Sequence, residues 1–432
     1  MACHRFMSHR LRGDPLPLND RNSQLIDPNA QRPLASRRMG PTLVSEPCTW
    51  SVVCSPMRKL LAFTVTLALV AAVAAYLVWT QERPVAHYLS DLRSTLAVNE
   101  GQPADRGNLL GIQPELFPAD YQSLERLHLK LAAYLQNARD QGLINEKTIV
   151  VLPEHIGTWL MLTGEKNEVY QALHVKDAMH WLSLSNPLQF LRAWISATGD
   201  DRTNDAYLRM KAPAMARDYQ VLFGGLAKEF GVTVVAGSIA LPNPSVSQGQ
   251  LQVGHGALFN ASVVFAADGL PVGNLQRQLY PIYDERGFIE PGDENIVSVV
   301  DTPAGRLGVL VGSDSWYPDN YRKLNEQGAQ LIAVPAFVLG RETWDRPWRG
   351  FKSVSTPQEI SLKPEELSEG EAWRRLTLIS QQPISQASAG MSVFLRGQFW
   401  DLGTAGQSFL SHNGQINADS DARGARLLNI WL

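Results

Sequence analysis

The chain has 432 residues, with 39 Lys and Arg against 42 Asp and Glu, and 44% hydrophobic residues. That is enough for one large domain or two ordinary ones with a full apolar core, and a net charge of −3 excludes a strongly basic nucleic-acid binder. The charge is uneven: residues 1–59 hold nine Lys/Arg and four Asp/Glu, and the remainder holds 30 and 38, an asymmetry that bears on topology. The three cysteines are Cys3, Cys48 and Cys54. Everything after position 54 therefore has no disulfide, no thiolate metal site and no cysteine nucleophile.

Residues 1–56 are rich in Pro, Arg, Asn and Ser without sustained periodicity, and read as a disordered cytoplasmic segment. Residues 60–79 (LLAFTVTLALVAAVAAYLVW) carry no charge, and only Thr64 and Thr66 are polar. At about 1.5 Å per residue this run matches the roughly 30 Å apolar core of a bilayer. Arg58 and Lys59 precede it, so the positive-inside rule puts residues 1–59 in the cytoplasm and the C-terminal domain outside, periplasmic or extracellular. A signal peptide cleaved after Ala72-Val73-Ala74 is the competing reading. The apolar run continues through Trp79, longer than a usual signal core, which favours an uncleaved anchor over 57–80. Met57-Arg58-Lys59 also reads as a second start of translation, in which case 1–56 would not be made. Polar residues 81–104 read as a stalk.

From 105 onward strands and helices alternate. Strands are predicted at 108–112, 148–152, 232–241, 258–266, 296–300, 307–311, 331–334, 388–395, 408–410 and 427–431, and helices at 119–141, 215–230 and 321–327. This is an α/β domain over 105–432. Two stretches break the rhythm, 157–210 and 341–372, and read as insertions. Trp159, Trp181 and Trp194 in the first read as a small satellite core; exposed, they would mark a membrane or partner surface.

No GxSxG, GxxxxGK[ST], HExxH or GxGxxG motif occurs. His174 and His180 lack the pattern of a metal site, and no metal or organic cofactor is implied. One constellation stands out. Pro153-Glu154 puts a carboxylate at the end of a buried strand, where α/β proteins bind ligands. GNLQRQLYPIYDERGFIEPGD follows at 273–293, and GRLGVLVGSDSWYPD at 305–319. With the first strand at 108–113, GVTVVAGSIAL and FNASVVFAADGLPVG, their order resembles the carbon–nitrogen hydrolase (nitrilase) superfamily.

The resemblance implies a nitrilase-like α-β-β-α sandwich, two stacked sheets flanked by helices. With its anchor the chain is similar to the apolipoprotein N-acyltransferase branch, here with a single span. It also implies a chemistry of three side chains: a glutamate base, a cysteine nucleophile and a lysine at the oxyanion. Glu154 falls on the base position, Gln276 on the lysine position and Gly312 on the cysteine position. Arg277 and Ser313 flank the replaced positions. Asp284 or Glu285 stands where some members place an accessory acid. Asp314 and Pro318 read as shaping the turn after their strand, and Pro291-Gly292-Asp293 as a turn. A strand turns neighbouring side chains to opposite faces, so Ser313 is expected to point away from Glu154.

Three functional readings follow. In the first, the chain is a membrane-tethered nitrilase-fold protein with a degenerate triad, a pseudoenzyme that binds a small amide, acid or acyl ligand or a partner. In the second it is a hydrolase or acyltransferase-like enzyme acting on C–N bonds through Glu154 with water or Ser313. In the third it is a structural interaction module. The resemblance also makes a homo-oligomer plausible; no nucleic-acid partner is implied.

Overall fold

The computed structural model describes residues 54–83, 87–351, 356–378, 385–418 and 424–432. The segment 1–53, expected to be disordered, lies outside the described residues. The chain divides into two units, Met1–Gln81 and Glu82–Leu432.

The first unit contributes one helix, Cys54–Gln81. Its part Met57–Gln81 is long and apolar enough to cross a membrane, with a mean hydropathy of 2.4 over its most apolar window. The hydroxyls within the run are satisfied inside the helix: Thr64 Oγ1 donates to the Leu61 carbonyl at 2.9 Å and Thr66 Oγ1 to that of Ala62 at 2.8 Å. Such back-bonding is what an apolar surrounding demands of a hydroxyl.

The second unit is built on two main sheets, of eight and six strands among the described residues. The first runs in the order Ser94–Glu100, Ala425–Trp431, Asn108–Gln113, Thr148–Val151, Thr233–Val235, Leu258–Phe265 and Pro271–Arg277, with Ile239–Pro242 also beside Leu258–Phe265. The second runs Val299–Thr302, Gly305–Val309, Leu331–Ala336, Ala389–Phe394, Phe409–His412 and Gln415–Ala418. Their inner faces meet in one apolar layer: Leu109, Ile149, Val151, Val235 and Val264 pack against Leu307, Val309, Leu331, Ala333, Met391 and Val393. The outer face of the first sheet is covered by helices Leu124–Asp140, Arg202–Tyr219 and Gly225–Phe230. That of the second is covered by Pro318–Glu326 and Glu369–Leu376. This is the nitrilase α-β-β-α sandwich.

Several elements differ from expectation. Ser94–Glu100, placed in the stalk, is an edge strand that pairs in parallel with Ala425–Trp431. Its composition, STLAVNE, is polar because only part of an edge strand is covered. The single strand expected at 232–241 is two, broken where Gly237 takes φ +66°. The helix expected at 215–230 starts earlier, as Arg202–Tyr219, and continues through a π-type turn at Gln220–Gly224 into Gly225–Phe230. The interval 157–210 is mostly helical, with Val175–Ser185 and Pro187–Ser196 as its longest complete helices. The tryptophans divide: Trp159, stacked on Phe399 at 4.4 Å, and the half-buried Trp181 pack against the main core under the first sheet instead of forming a satellite, and Trp194 is exposed.

Candidate functional site

Glu154 follows the strand Thr148–Val151, which lies inside the first sheet between parallel neighbours. The turn after that strand is fixed by the Gly-Ser pair next to it. A Cβ on Gly237 would meet the Pro153 carbonyl oxygen at 2.0 Å, so only glycine lets the two backbones approach. Ser238 Oγ accepts the His155 backbone N–H at 2.8 Å, and the Ser238 carbonyl accepts the Gly157 N–H at 2.9 Å. His155 takes φ +61°, a left-handed conformation unusual outside glycine. Glu154 is thereby turned inward and buried, at 4% exposure.

The Glu154 carboxylate is held by neutral donors. Asn260 Nδ2 donates to its Oε1 at 2.9 Å and Gln278 Nε2 to the same oxygen at 3.1 Å. Asn260 and Gln278 come from paired segments, and the Gln278 N–H donates to the Asn260 carbonyl at 2.8 Å. Burial, together with the Glu285 and Asp314 carboxylates, holds Glu154 well above the ordinary carboxylate range.

His155 joins Glu154 to a second acid. Its Nε2 lies 2.7 Å from Glu285 Oε1 and 4.0 Å from Glu154 Oε1, and its Nδ1 lies 3.2 Å from Thr158 Oγ1. The ring meets Phe337 edge-on at 5.3 Å. Glu154, His155 and Glu285 place three ligand atoms within 4.8 Å of one another, a set able to take a divalent cation. Here they are already engaged: Glu285 bonds His155, and Glu154 Oε1 accepts two amides.

Gly312 begins the short helical turn Gly312–Trp316, which follows the strand Gly305–Val309 of the second sheet. It takes φ +54°. A Cβ built there would lie 2.6 Å from Glu154 Oε2 and 2.7 Å from Oε1. Glu154 and Gly312 are therefore in contact, and the carboxylate fills the space a side chain at 312 would need.

The other expected residues fall into two groups. Asp284 lies half-buried in the loop that carries Glu285, and only Glu285 reaches His155 among the bonds described. Ser313 Oγ donates to the Tyr280 carbonyl at 2.6 Å, and it does so from the helical turn Gly312–Trp316, not from the strand whose alternation the expectation assumed. Asp314 accepts the backbone N–H groups of Leu279 at 2.9 Å and Tyr280 at 2.8 Å. Burial pushes its carboxyl up to about 8, against the opposing pull of those N–H groups. Ser313 and Asp314 thus clamp the 312–316 turn to the 279–280 segment. Arg277 leaves the site: Nη2 donates to Asn243 Oδ1 at 2.8 Å and to the Pro244 carbonyl at 2.9 Å, and its guanidinium lies 4.1 Å from the Phe259 ring centre.

Gln276, counted onto the lysine position, has its amide elsewhere. Nε2 donates to the Arg277 carbonyl at 2.8 Å and the Ile296 carbonyl at 3.3 Å, and Oε1 accepts the Ser298 N–H at 3.1 Å. It ties down the loop before Val299–Thr302. Gln278, two residues on and about 7 Å further along the chain, is the side chain that reaches Glu154. Sequence reasoning missed His155, Asn260 and Gln278. A usable signal existed for Asn260, a lone amide in the apolar strand Leu258–Phe265.

The Carbon-nitrogen hydrolase family profile matches residues 112–350, more than half of the chain. The chain belongs to the carbon–nitrogen hydrolase family. Deaminated glutathione amidase of Yersinia enterocolitica is 29% identical over 166 residues, 37% of this chain and 53% of that one. N-carbamoylputrescine amidase of Solanum tuberosum is 25% identical over 144 residues, 33% and 43% of the two chains. The chain thus spans about half the length of the curated relatives it matches. Among solved structures, a cysteine-to-alanine mutant of the Nesterenkonia AN1 amidase from the nitrilase superfamily is 14% identical, covering 75% of this chain and 90% of its own, with a TM-score of 0.45.

Proposed function

We propose that this carbon–nitrogen hydrolase is a membrane-tethered pseudoenzyme, which holds a small amide- or acid-bearing ligand at the former catalytic centre without turning it over. One observation carries the reading: the Glu154 carboxylate occupies the space above Gly312 where a nucleophile's Cβ would stand, at 2.6 Å. No thiol exists in the domain. The adjacent hydroxyl of Ser313 is committed to a carbonyl, and Arg277 is turned to Asn243 and Pro244. Without a nucleophile and an oxyanion cation, a buried glutamate has little left to activate but water. What remains is recognition chemistry: two carboxamides, a glutamate and a His–Glu pair, with Glu285 and Phe337 half-buried beside the buried His155.

The proposed tether is the apolar helix Met57–Gln81, one such helix among the described residues, with Arg58 and Lys59 on the cytoplasmic side and the domain outside. The relatives are named as amidases, so the ligand search starts with primary amides, N-carbamoyl compounds and short acids. At least one of these is expected to raise the Tm of the full chain, with the increment lost in Glu154→Gln and in Asn260→Ala. If none shifts the Tm, the ligand reading fails and the fold serves as an interaction surface.

A further inference from the structure

Helix Pro187–Ser196 (PLQFLRAWIS) presents an apolar face that the domain does not cover. Of its ten residues only Ala193 is buried. Leu188 is 65% exposed, Leu191 53%, Ile195 65% and Trp194 42%. At about 100° per residue these four fall within roughly one third of the helix circumference. The helix is held from its other sides: Ala193, opposite the stripe, is buried, and the Phe190 ring, next to the stripe, lies 5.1 Å from Tyr207 on helix Arg202–Tyr219. The C-terminal end is capped by Arg202, whose Nη2 donates to the Trp194 carbonyl at 3.1 Å and the Ile195 carbonyl at 3.2 Å, with the guanidinium 4.8 Å from the Trp194 ring centre. The apolar side chains are thus displayed outward on a helix held in place. Scattered exposed leucines need no explanation, but a rigid stripe ending in an exposed tryptophan does.

The anchorage of residues 82 and 83 bears on what covers the stripe. Glu82 and Arg83 are the first residues after the apolar helix, and both are bonded to this same helical insertion. Lys166 Nζ donates to the Glu82 carbonyl at 2.7 Å. Arg83 Nη2 lies 3.4 Å from the Ser185 carbonyl and 3.9 Å from Glu165 Oε2. Ser185 and Asn186 form the joint between Val175–Ser185 and Pro187–Ser196, and Asn186 Nδ2 donates to the same Glu165 at 2.9 Å. Residues 82 and 83, the first of the second unit, are therefore fastened within two to three residues of the start of the stripe at Leu188. If Met57–Gln81 spans a bilayer, residues this near its end in sequence lie near lipid.

We infer that helix Pro187–Ser196 lies in the bilayer surface, with Leu188, Leu191, Trp194 and Ile195 at the boundary between headgroups and acyl chains. This rests on the proposed single-span tether. The composition suits the place: a short amphipathic helix with tryptophan at the interface, and exposed Arg192 beside the stripe to reach lipid phosphates. The contact would fix the domain's orientation on the membrane instead of leaving it to swing on its tether.

The test uses the full chain with Cys3, Cys48 and Cys54 changed to serine, reconstituted in phosphatidylcholine–phosphatidylglycerol vesicles. An environment-sensitive fluorophore is placed at Leu191→Cys or, separately, at Leu69→Cys inside the span. The Leu191→Cys probe is expected to emit blue-shifted and to lose more intensity to a spin label near the headgroups than to one deep in the acyl chains. The Leu69→Cys probe should show the reverse depth preference. Adding Leu188→Glu and Ile195→Glu should abolish quenching at 191 and leave that at 69 intact. Aqueous emission at 191 with deep quenching at 69 overturns the inference and leaves the tether standing. A blue shift at 191 without lipid quenching also overturns it, in favour of a protein contact. No quenching at 69 defeats the tether and the inference together.

Discussion

Glu154 and Gly312 define the site by contact. A Cβ at 312 has two penalties, a left-handed backbone and a clash with the carboxylate 2.6 Å away. Gly312→Ala is therefore expected to lower the unfolding free energy by about 1–3 kcal/mol, read from urea denaturation. Gly312→Cys, which restores a thiol to the nucleophile position, should be destabilised similarly and release no ammonia, because the thiol would arrive against the base with no cation opposite. The buried acids give a pH dependence with a definite sign. Asp314 is raised from 3.8 to about 8, and Glu154 is raised well above 4.5. As pH climbs past the ordinary carboxylate range the unfolded chain loses these protons while the native state keeps them. The native state then binds more protons, and stability from this source falls from about pH 4 towards pH 8. Asp314→Asn keeps an acceptor oxygen for Leu279 and Tyr280, and Glu154→Gln keeps one for Asn260 and Gln278. Each should flatten that decline, so that the Tm difference between variant and parent shifts in the variant's favour as pH rises. A difference independent of pH would refute the assignment of raised carboxyls.

At the scale of elements, what was legible follows from how local each signal is. The β-branched run 148–152 and the apolar runs 258–266 and 331–334 announce buried strands, and the structure has them. Glu154 at a strand end and Gly312 after another were readable because both lie in short motifs. The choice between Gln276 and Gln278 was not readable. The pairing of Pro271–Arg277 with Leu258–Phe265 shifts register between Val272 and Gln276, and Gln276 is recruited by the Ile296–Ser298 backbone, a contact distant in sequence. Ser94–Glu100 was missed because an edge strand covered by a C-terminal partner carries no strong hydrophobic alternation of its own. Helix Glu369–Leu376, inside and beyond the irregular 341–372 stretch, begins with a capping box: Ser368 Oγ accepts the Glu371 N–H at 3.2 Å, and the Glu371 carboxylate accepts the Ser368 N–H at 2.9 Å. Ser368→Ala should cost about 0.5–2 kcal/mol, seen as a lower denaturation midpoint with an unchanged slope.

At the scale of the whole chain, a carbon–nitrogen hydrolase sandwich follows, in sequence, a helix apolar enough to cross a membrane, and the domain carries no cysteine. If Met57–Gln81 spans the bilayer, the full chain stays in the membrane fraction after alkaline carbonate extraction; release into the supernatant would contradict the tether. The proposed binding role rests on the buried Glu154, its amide donors Asn260 and Gln278 and the neighbouring His155–Glu285 pair. The most direct measurement is ammonia release by the folded full chain across amides, nitriles and N-carbamoyl compounds, with Glu154→Gln run in parallel. The account predicts no release above background for either protein. Release by the parent chain that Glu154→Gln abolishes would contradict it, and would make Glu154 a working base acting through water.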